Sequence, residues 1–216
     1  MDIKDVIEGS VNVKKYWLDK IPLELVEDII DSGRYAVCAD GEINWKVVII
    51  VDDKLKDKIS NCCMRQGWIS KAPVILVLCS DIKHMEKYYG KKAEHYGRHN
   101  TLAAAENMRI AATSLGVSTC WVNFFEEKSL RRVLKIPDSV TPEVVLTLGY
   151  SDLKTRMPNR TSLDKLVYFN EWDNTVFPED FWPIGRKTEK IQEEIDKGFK
   201  KLREKAANLL KLKKKK

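Results

Sequence analysis

The sequence has no apolar run that approaches the roughly 20 residues of a membrane-spanning helix. Its first residues, MDIKDVIEG, also lack the apolar core of a secretory signal peptide. Hydrophobic residues nevertheless make up 44% of the 216 residues, which is enough to bury a substantial core. We therefore expect a cytoplasmic protein with no membrane partner.

Cysteine residues are few and show no paired spacing. A chain of this length needs no disulfide bonds to fold, and an odd number of cysteines leaves at least one thiol unpaired. We therefore expect reduced thiols. The five residues concerned are Cys38, Cys62, Cys63, Cys79 and Cys120.

The sequence also lacks the short motifs of several enzyme classes. No phosphate loop of the GxGxxG or GxxxxGK type and no GxSxG elbow occurs, which disfavours the classical nucleotide-binding folds and serine hydrolases. His95 and His99 have the i, i+4 spacing of a helix face. Gly97 between them weakens a helix and no third ligand is near in sequence, so we predict no metal site.

Positive charge is concentrated at the C-terminus. The chain carries a net charge of +6, whereas residues 186–216 hold 13 Lys and Arg against 5 Asp and Glu, a net of +8. Subtracting +8 from +6 leaves −2 for residues 1–185. We predict a domain over residues 1–185 and a basic helical tail over 186–216, and we regard nucleic acid as an unlikely partner because the body is nearly neutral.

Strand-like and helix-like segments alternate along the chain. Runs of β-branched and apolar residues predict strands at Val47–Val51, Val74–Cys79 and Val144–Leu148. Helical spacing is found at Pro22–Gly33, Lys54–Arg65, Ile82–Tyr89 and Glu126–Leu134. The polar, glycine-containing stretch GKKAEHYGRHN at residues 90–100 predicts a mobile loop.

A helix rich in small residues is predicted between Asn100 and Gly116. Asn100 is a suitable N-cap and Gly116 a suitable left-handed C-cap. A fourth strand is predicted directly after Gly116. The small side chains would let another surface approach this helix closely; they are Ala103, Ala104, Ala105, Ala111 and Ala112.

Five segments occur in an order and at a spacing shared with a known family. They are Ile43–Asp53, Lys71–Asp81, Asn100–Phe125, Thr141–Tyr150 and Met157–Val167. From about Asp5 to Trp172 the chain resembles the nitroreductase family of FMN-dependent oxidoreductases. The resemblance implies an α+β fold with a central mixed β-sheet flanked by helices. It also implies a homodimer with FMN at the subunit junction and the Leu102–Leu115 helix in the interface.

The first family motif corresponds to the segment from Ser10 to Tyr16. Lys14 matches the position whose cation lies beside N1 and O2 of the flavin. Ser10 stands where the family has a phosphate-binding arginine, and Asn12 stands where it has a serine. The resemblance therefore implies cofactor-binding roles for Ser10, Asn12 and Lys14.

Three further family motifs add candidate flavin-binding residues. Cys38 occupies the position of a serine in the second motif. Trp121 and Asn123 belong to the segment that passes its backbone across one face of the flavin ring, although Trp121 is as readily interpreted as a core residue. Arg160 matches a phosphate-binding arginine of the family, with Arg156 nearby; a basic surface loop is the alternative interpretation.

The resemblance implies that the protein transfers hydride from NAD(P)H through FMN to a small electrophilic acceptor, such as a nitroaromatic or a quinone. Lys14 would stabilise the reduced flavin, and no side chain of the protein need act as a general acid. The loop predicted at Tyr88–Asn100 would set substrate choice. The changes at Ser10 and Cys38 leave a second hypothesis open, a non-catalytic ligand-binding or flavin-sequestering protein. The choices between NADH and NADPH, and between FMN and a deazaflavin, also stay open.

Overall fold

The computed structural model of the protein describes residues 2–152 and 159–178. The chain divides into two units, Met1–Met157 and Pro158–Lys216. The predicted boundary at residue 185 and the predicted basic tail lie outside the described residues, so the proposed division of the chain stays a prediction.

A four-stranded antiparallel sheet forms the centre of the first unit. Its strands are β1 (Trp45–Ile50), β2 (Val74–Asp81), β3 (Ser118–Val122) and β4 (Val140–Gly149). They are arranged in the order β1-β2-β4-β3, and each neighbouring pair is antiparallel. The N-terminal segment adds a parallel contact, an isolated bridge between Asn12 and Thr119 at the edge strand β3. The predicted strands are confirmed, and so is the α+β class, but the four described strands form an antiparallel sheet rather than the predicted mixed sheet.

Six α-helices surround the sheet in the described part of the first unit. They are α1 (Ile3–Gly9), α2 (Leu23–Ser32), α3 (Asp53–Cys62), α4 (Ile82–Tyr89), α5 (Ala93–Ser114) and α6 (Glu127–Leu134). Acidic side chains cap several N-termini: Asp52 accepts a hydrogen bond from the Leu55 amide at 2.8 Å, and Glu126 accepts one from the Ser129 amide at 2.6 Å. The helices predicted from apolar spacing are all confirmed.

The N-terminal half of α5 differs from the predicted mobile loop at residues 90–100. Residues 93–100 are helical rather than a mobile loop, and Asn100 is a buried residue inside the helix rather than its N-cap. Gly97 belongs to the buried face, where an added Cβ would lie 2.9 Å from Nδ2 of Asn44. Close packing therefore stabilises a segment whose local sequence favours a loop. The other end is as predicted, since Gly116 follows the helix with φ +76°.

The hydrophobic core lies on both faces of the sheet. Because side chains alternate along a strand, Ile75 and Val77 of β2 face one side, and Leu76 and Leu78 face the other. The first group packs with residues of α3 and α6, such as Ile59 and Leu130, and we name it the α3–α6 face. The second packs with residues of α2 and α5, such as Ile29 and Met108, and we name it the α2–α5 face.

The second unit is described at residues 159–178. This segment contains one short 3-10 turn, Leu163–Lys165, and is otherwise irregular. Phe169 and Asn174 are joined by a backbone hydrogen bond of 2.8 Å, and the rings of Tyr168 and Trp172 lie 4.9 Å apart.

Candidate active site

The N-terminal segment that contains the first predicted motif lies along the edge strand β3. The amide of Val13 donates to the carbonyl of Thr119 at 2.8 Å, and Oδ1 of Asn12 accepts a hydrogen bond from the amide of Trp121 at 2.9 Å. An edge strand has unpaired backbone groups, which explains why this irregular segment is held there. The structure thus places the segment that contains Ser10, Asn12 and Lys14 next to the backbone that leads to Asn123.

Lys14 is an exposed cation in this region. Its ammonium lies 5.5 Å from the centre of the Trp68 ring, in a cation–π contact. Among the described residues, no carboxylate lies within salt-bridge distance of it. Its charge also acts on the neighbouring Cys120 thiol, whose pKa is raised to about 11 by burial and is drawn the other way by Lys14. Lys14 is therefore free to interact with an anionic or electron-rich ligand.

Ser10 has a different environment from that of an exposed ligand-binding serine. The residue is 5% exposed, and its hydroxyl lies 2.7 Å from Oγ1 of Thr113 on α5. Arg109, one helical turn earlier, donates to the Ser10 carbonyl and also makes a forked pair with Glu106 at 2.6 and 2.8 Å. Arg109 is thus a cation next to Ser10 that the sequence analysis missed. The sequence carries no clear signal for it, because Glu106 and Arg109 have the i, i+3 spacing of an ordinary surface pair.

One polar atom near Asn12 has hydrogen-bonding capacity that the protein does not use. Oγ1 of Thr119 is buried and has no hydrogen-bond partner among the residues that the structure describes. Such atoms are rare in folded proteins and accompany bound groups or functional sites. Lys14 contacts Trp68 on the α3–α6 face, whereas Thr119 shares the side of β3 with Trp121, which packs on the α2–α5 face. The exposed side chains of Asn12 and Lys14 can each donate to a carbonyl or nitrogen acceptor at the edge of a ring such as a flavin.

Trp121 and Asn123 interact with each other through their side chains. The indole Nε1 of Trp121 donates to Oδ1 of Asn123 at 2.5 Å. The Trp121 ring is half-buried and packs against the core on the α2–α5 face. This packing favours the interpretation of Trp121 as a core residue, whereas Asn123 is exposed at the end of β3.

Cys38 lies on the other side of the sheet from Lys14. The next residue, Ala39, donates its amide to Oδ1 of Asn100 on α5 at 2.9 Å, which places this segment on the α2–α5 face. Lys14 instead contacts Trp68, which packs on the α3–α6 face. One chain therefore does not bring Cys38 and Lys14 into one site, and a shared site would need a second copy of the chain.

The structure describes one of the two predicted phosphate-binding arginines, Arg160. Arg156 lies outside the described residues. Arg160 is described as an exposed residue of the second unit, with no ion pair among the described residues. The roles of both residues remain predictions.

The histidine pair on α5 is exposed and closely spaced. His95 and His99 lie with ring centres 4.1 Å apart, and the helix continues through Gly97. Within residues 2–152 and 159–178, no group of three or more His, Cys, Asp or Glu side chains is arranged to hold a metal ion. No helix in these ranges is both long and apolar enough to span a membrane.

Comparisons with known proteins place this architecture in a family. The profile of the Nitroreductase family matches residues 60–150. A Methanothermobacter thermautotrophicus protein with the provisional name NADH dehydrogenase/NAD(P)H nitroreductase is 27% identical over 154 residues, covering 69% of this chain and 78% of the relative. An FMN reductase [NAD(P)H] of Bacillus subtilis is 26% identical over 178 residues, covering 74% of this chain and 72% of the relative.

A solved structure agrees with these sequence matches. The FMN-dependent nitroreductase of Clostridium difficile superimposes with a TM-score of 0.67 at 22% identity, covering 78% of this chain and 99% of that chain. At this identity the likeness is one of fold, and it confirms the predicted nitroreductase-like architecture. The profile match over residues 60–150, the relatives and the shared fold all support the predicted resemblance to the nitroreductase family.

Proposed function

We propose that this chain is an FMN-dependent oxidoreductase that takes hydride from NAD(P)H and passes it to a small electrophilic acceptor, such as a nitroaromatic or a quinone. The observation that supports this most directly is the Lys14 ammonium, exposed at the edge of β3 without a carboxylate partner among the described residues. The names of the relatives, which include FMN reductase and NAD(P)H nitroreductase, support the same activity.

Lys14 and Asn12 would hold the ring edge of the cofactor. When bound, FMN supplies a ring that accepts hydride from one substrate and donates it to the other. The Lys14 ammonium would stabilise the negative charge that the reduced ring carries, because a fixed cation in a partly desolvated site interacts more strongly than one in water. Asn12 already binds the Trp121 amide through Oδ1, so its orientation is fixed before ligand binding.

The phosphate of the cofactor would need cations other than those of the first motif. Ser10 cannot replace the arginine of the family, because its hydroxyl is bonded to Thr113. Arg109 is the cation next to Ser10, although Glu106 neutralises part of its charge. We propose Arg109 as a phosphate-binding residue, and Arg156 and Arg160 stay the phosphate-binding residues that the resemblance implies.

A homodimer is part of this proposal. Cys38 and Lys14 lie on opposite faces of one chain, so a flavin site with both residues would combine two copies. The outer face of α5 supports such an interface, since Ala103, Ile110 and Ala111 are only half-buried in one chain. We further propose a cytoplasmic protein, with residues 186–216 as a separate basic tail.

The absorption spectrum of the purified protein tests the proposal. We expect a yellow protein, or one that becomes yellow and quenches flavin fluorescence when FMN is added. Lys14→Gln should weaken FMN binding by about 10- to 100-fold, the typical effect of losing one charge-assisted contact. Lys15→Gln is the matched control, because Lys15 is the neighbouring exposed lysine. A full-length protein that binds no added FMN would refute the proposal.

The alternative is a non-catalytic protein that binds or sequesters flavin. The bond between Ser10 and Thr113 favours it, because it removes one family contact to the phosphate. Such a protein would bind FMN but would not oxidise NADH or NADPH in the presence of a quinone or nitroaromatic acceptor. Anaerobic mixing with each nucleotide distinguishes the two hypotheses, since only the enzyme bleaches the flavin band.

A further inference from the structure

A groove with a volume of about 990 Å³ lies between α3 and α6. Its lining is dominated by positive charge, and Glu126 is its one carboxylate among the described residues. Val133 and Cys62 are its apolar lining residues, and the other seven lining residues are polar or charged. The cationic side chains that line it are Lys58, Arg65, Arg132 and Lys135.

None of the four cations forms an ion pair with a described residue. Other basic side chains of the first unit do so: Arg131 pairs with Glu127 at 2.8 Å, and Arg98 with Glu143 at 2.9 Å. In the groove, Arg132 donates only to the Ser129 hydroxyl at 3.3 Å. Hydrogen bonding with Ser129 and the amide of Lys128, together with the charge of Arg132, lowers the pKa of the Glu126 carboxylate. The groove therefore has four cations against one carboxylate, in a body with a net charge near zero.

Two of the cations occupy unusual backbone positions. Arg65 has φ +56° and Lys135 has φ +55°, in the left-handed region where glycine is the favoured residue. Lys135 is the C-cap of α6, and Arg65 lies in the turn that follows α3, whose C-cap is Cys63. Both turns hold long cations that line the groove, although Met64 next to Arg65 also has φ +56°, so the backbone geometry by itself does not select for charge.

The groove adjoins the candidate flavin site. Trp68, which contacts Lys14, follows Arg65 by three residues, so their Cα atoms are at most about 10 Å apart. The carbonyl of Cys62 in the groove accepts a hydrogen bond of 2.8 Å from the amide of Glu126, in the segment that continues from Asn123. A ligand that reaches from the Lys14 region could therefore place its far end in this groove.

We propose that the groove between α3 and α6 binds the phosphates of the pyridine nucleotide, its 2′-phosphate included, and so makes NADPH the preferred hydride donor. This inference rests on the proposed function. NADPH differs from NADH by one phosphate group on the adenosine ribose, and unpaired arginine and lysine side chains bind such groups strongly. Asn61 and Ser129 add neutral hydrogen-bonding groups to the lining.

Binding of NADPH fragments tests the groove without relying on activity. Adenosine 2′,5′-bisphosphate and 5′-AMP carry the phosphate patterns of the adenosine halves of NADPH and NADH. Calorimetry on the full-length protein at about 50 mM salt, where screening is weak, should show at least about tenfold tighter binding of the bisphosphate. The Arg65→Gln/Lys135→Gln variant should lose that preference. Lys46→Gln/Lys87→Gln, which removes the same charge from exposed sites elsewhere in the unit, should keep it.

Steady-state kinetics gives a second readout. We expect a higher kcat/KM for NADPH than for NADH, and the Arg65→Gln/Lys135→Gln variant should lower only the NADPH value by about tenfold. Equal binding of the two fragments, an unchanged preference in that variant, or tighter groove-dependent binding of a single-stranded oligonucleotide would overturn the inference. Failure to bind FMN with the bisphosphate preference intact would refute the proposed function but support the phosphate site.

Discussion

Replacing Asn100 tests the residue that the sequence predicted as a helix N-cap and that the structure places, buried, inside α5. Asn100 is 3% exposed inside α5 and makes three hydrogen bonds. Its Oδ1 accepts from the Ala39 amide at 2.9 Å, and its Nδ2 donates to the Glu42 carbonyl and to Oδ1 of Asn44, both at 3.0 Å. Asn44 is completely buried, so its amide has no access to water as a substitute partner.

The size of the effect follows from those bonds. Each contributes a net stabilisation of about 0.5 to 1.5 kcal/mol, and burial prevents water from replacing them. Asn100→Ala should therefore lower the free energy of unfolding by about 2 to 4 kcal/mol. Asn107→Ala is the matched control on the same helix, because Asn107 makes a single long hydrogen bond of 3.4 Å to the Ser32 carbonyl. It should cost less than about 1 kcal/mol.

Asn100→Asp distinguishes the two interpretations of this residue. An aspartate is as good an N-cap as an asparagine, so a residue that caps a helix would tolerate the change. Inside α5 one carboxylate oxygen would keep the Ala39 amide, but the oxygen that replaces Nδ2 would face the oxygens of Glu42 and Asn44. This variant should therefore be at least as unstable as Asn100→Ala. Urea unfolding at a fixed FMN concentration measures all three variants. Wild-type stability of Asn100→Asp would refute the buried network.

Two further predictions concern stability. Gly149→Ala would place a Cβ 2.4 Å from Cδ1 of the buried Tyr16, so it should lower the free energy of unfolding in urea by about 1 to 3 kcal/mol. Gly67→Ala is the control, because Gly67 has open space around it, and it should change the free energy of unfolding by less than about 0.5 kcal/mol. Equal stability of the two variants would contradict this packing. Burial raises the pKa of three thiols to about 11 or 12; they belong to Cys63, Cys79 and Cys120. The native state therefore holds these protons more tightly than the unfolded chain does. The free energy of unfolding should fall as the pH rises above about 9, by roughly 1 kcal/mol per thiol at pH 10. Unfolding curves that coincide at pH 8 and pH 10 would show that these thiols do not couple to folding.

Local sequence predicted most of the secondary structure because the strands and most helices carry their own signals. The run Val74–Cys79 is apolar, with three β-branched residues among its six, and it lies in the buried part of β2. Ile82–Tyr89 has helical spacing and an aspartate before it, and the helix has these same bounds. Such elements depend on apolar periodicity and capping, which are properties of neighbouring residues.

The first half of α5 could not be predicted in this way. Its residues are polar and include Gly97, and both features favour a loop when they are considered alone. The helix forms because Gly97 lets Asn44 approach closely and because the Tyr96 ring packs 4.6 Å from that of Tyr89. These partners come from other segments, so their contribution is visible only once the chain is folded.

For the candidate site, the sequence by itself determined the family motifs and the order in which they occur, whereas the placement of Asn12 beside β3 came from the structure. Only the tertiary structure decided that the Ser10 hydroxyl is bonded to Thr113 and that Cys38 lies across the sheet from Lys14. It also decided that cations from α3 and α6, about 70 residues apart in the chain, line one groove. Electrostatic fields and hydrogen bonds depend on distances in space, and these distances are set by the packing of helices on the sheet.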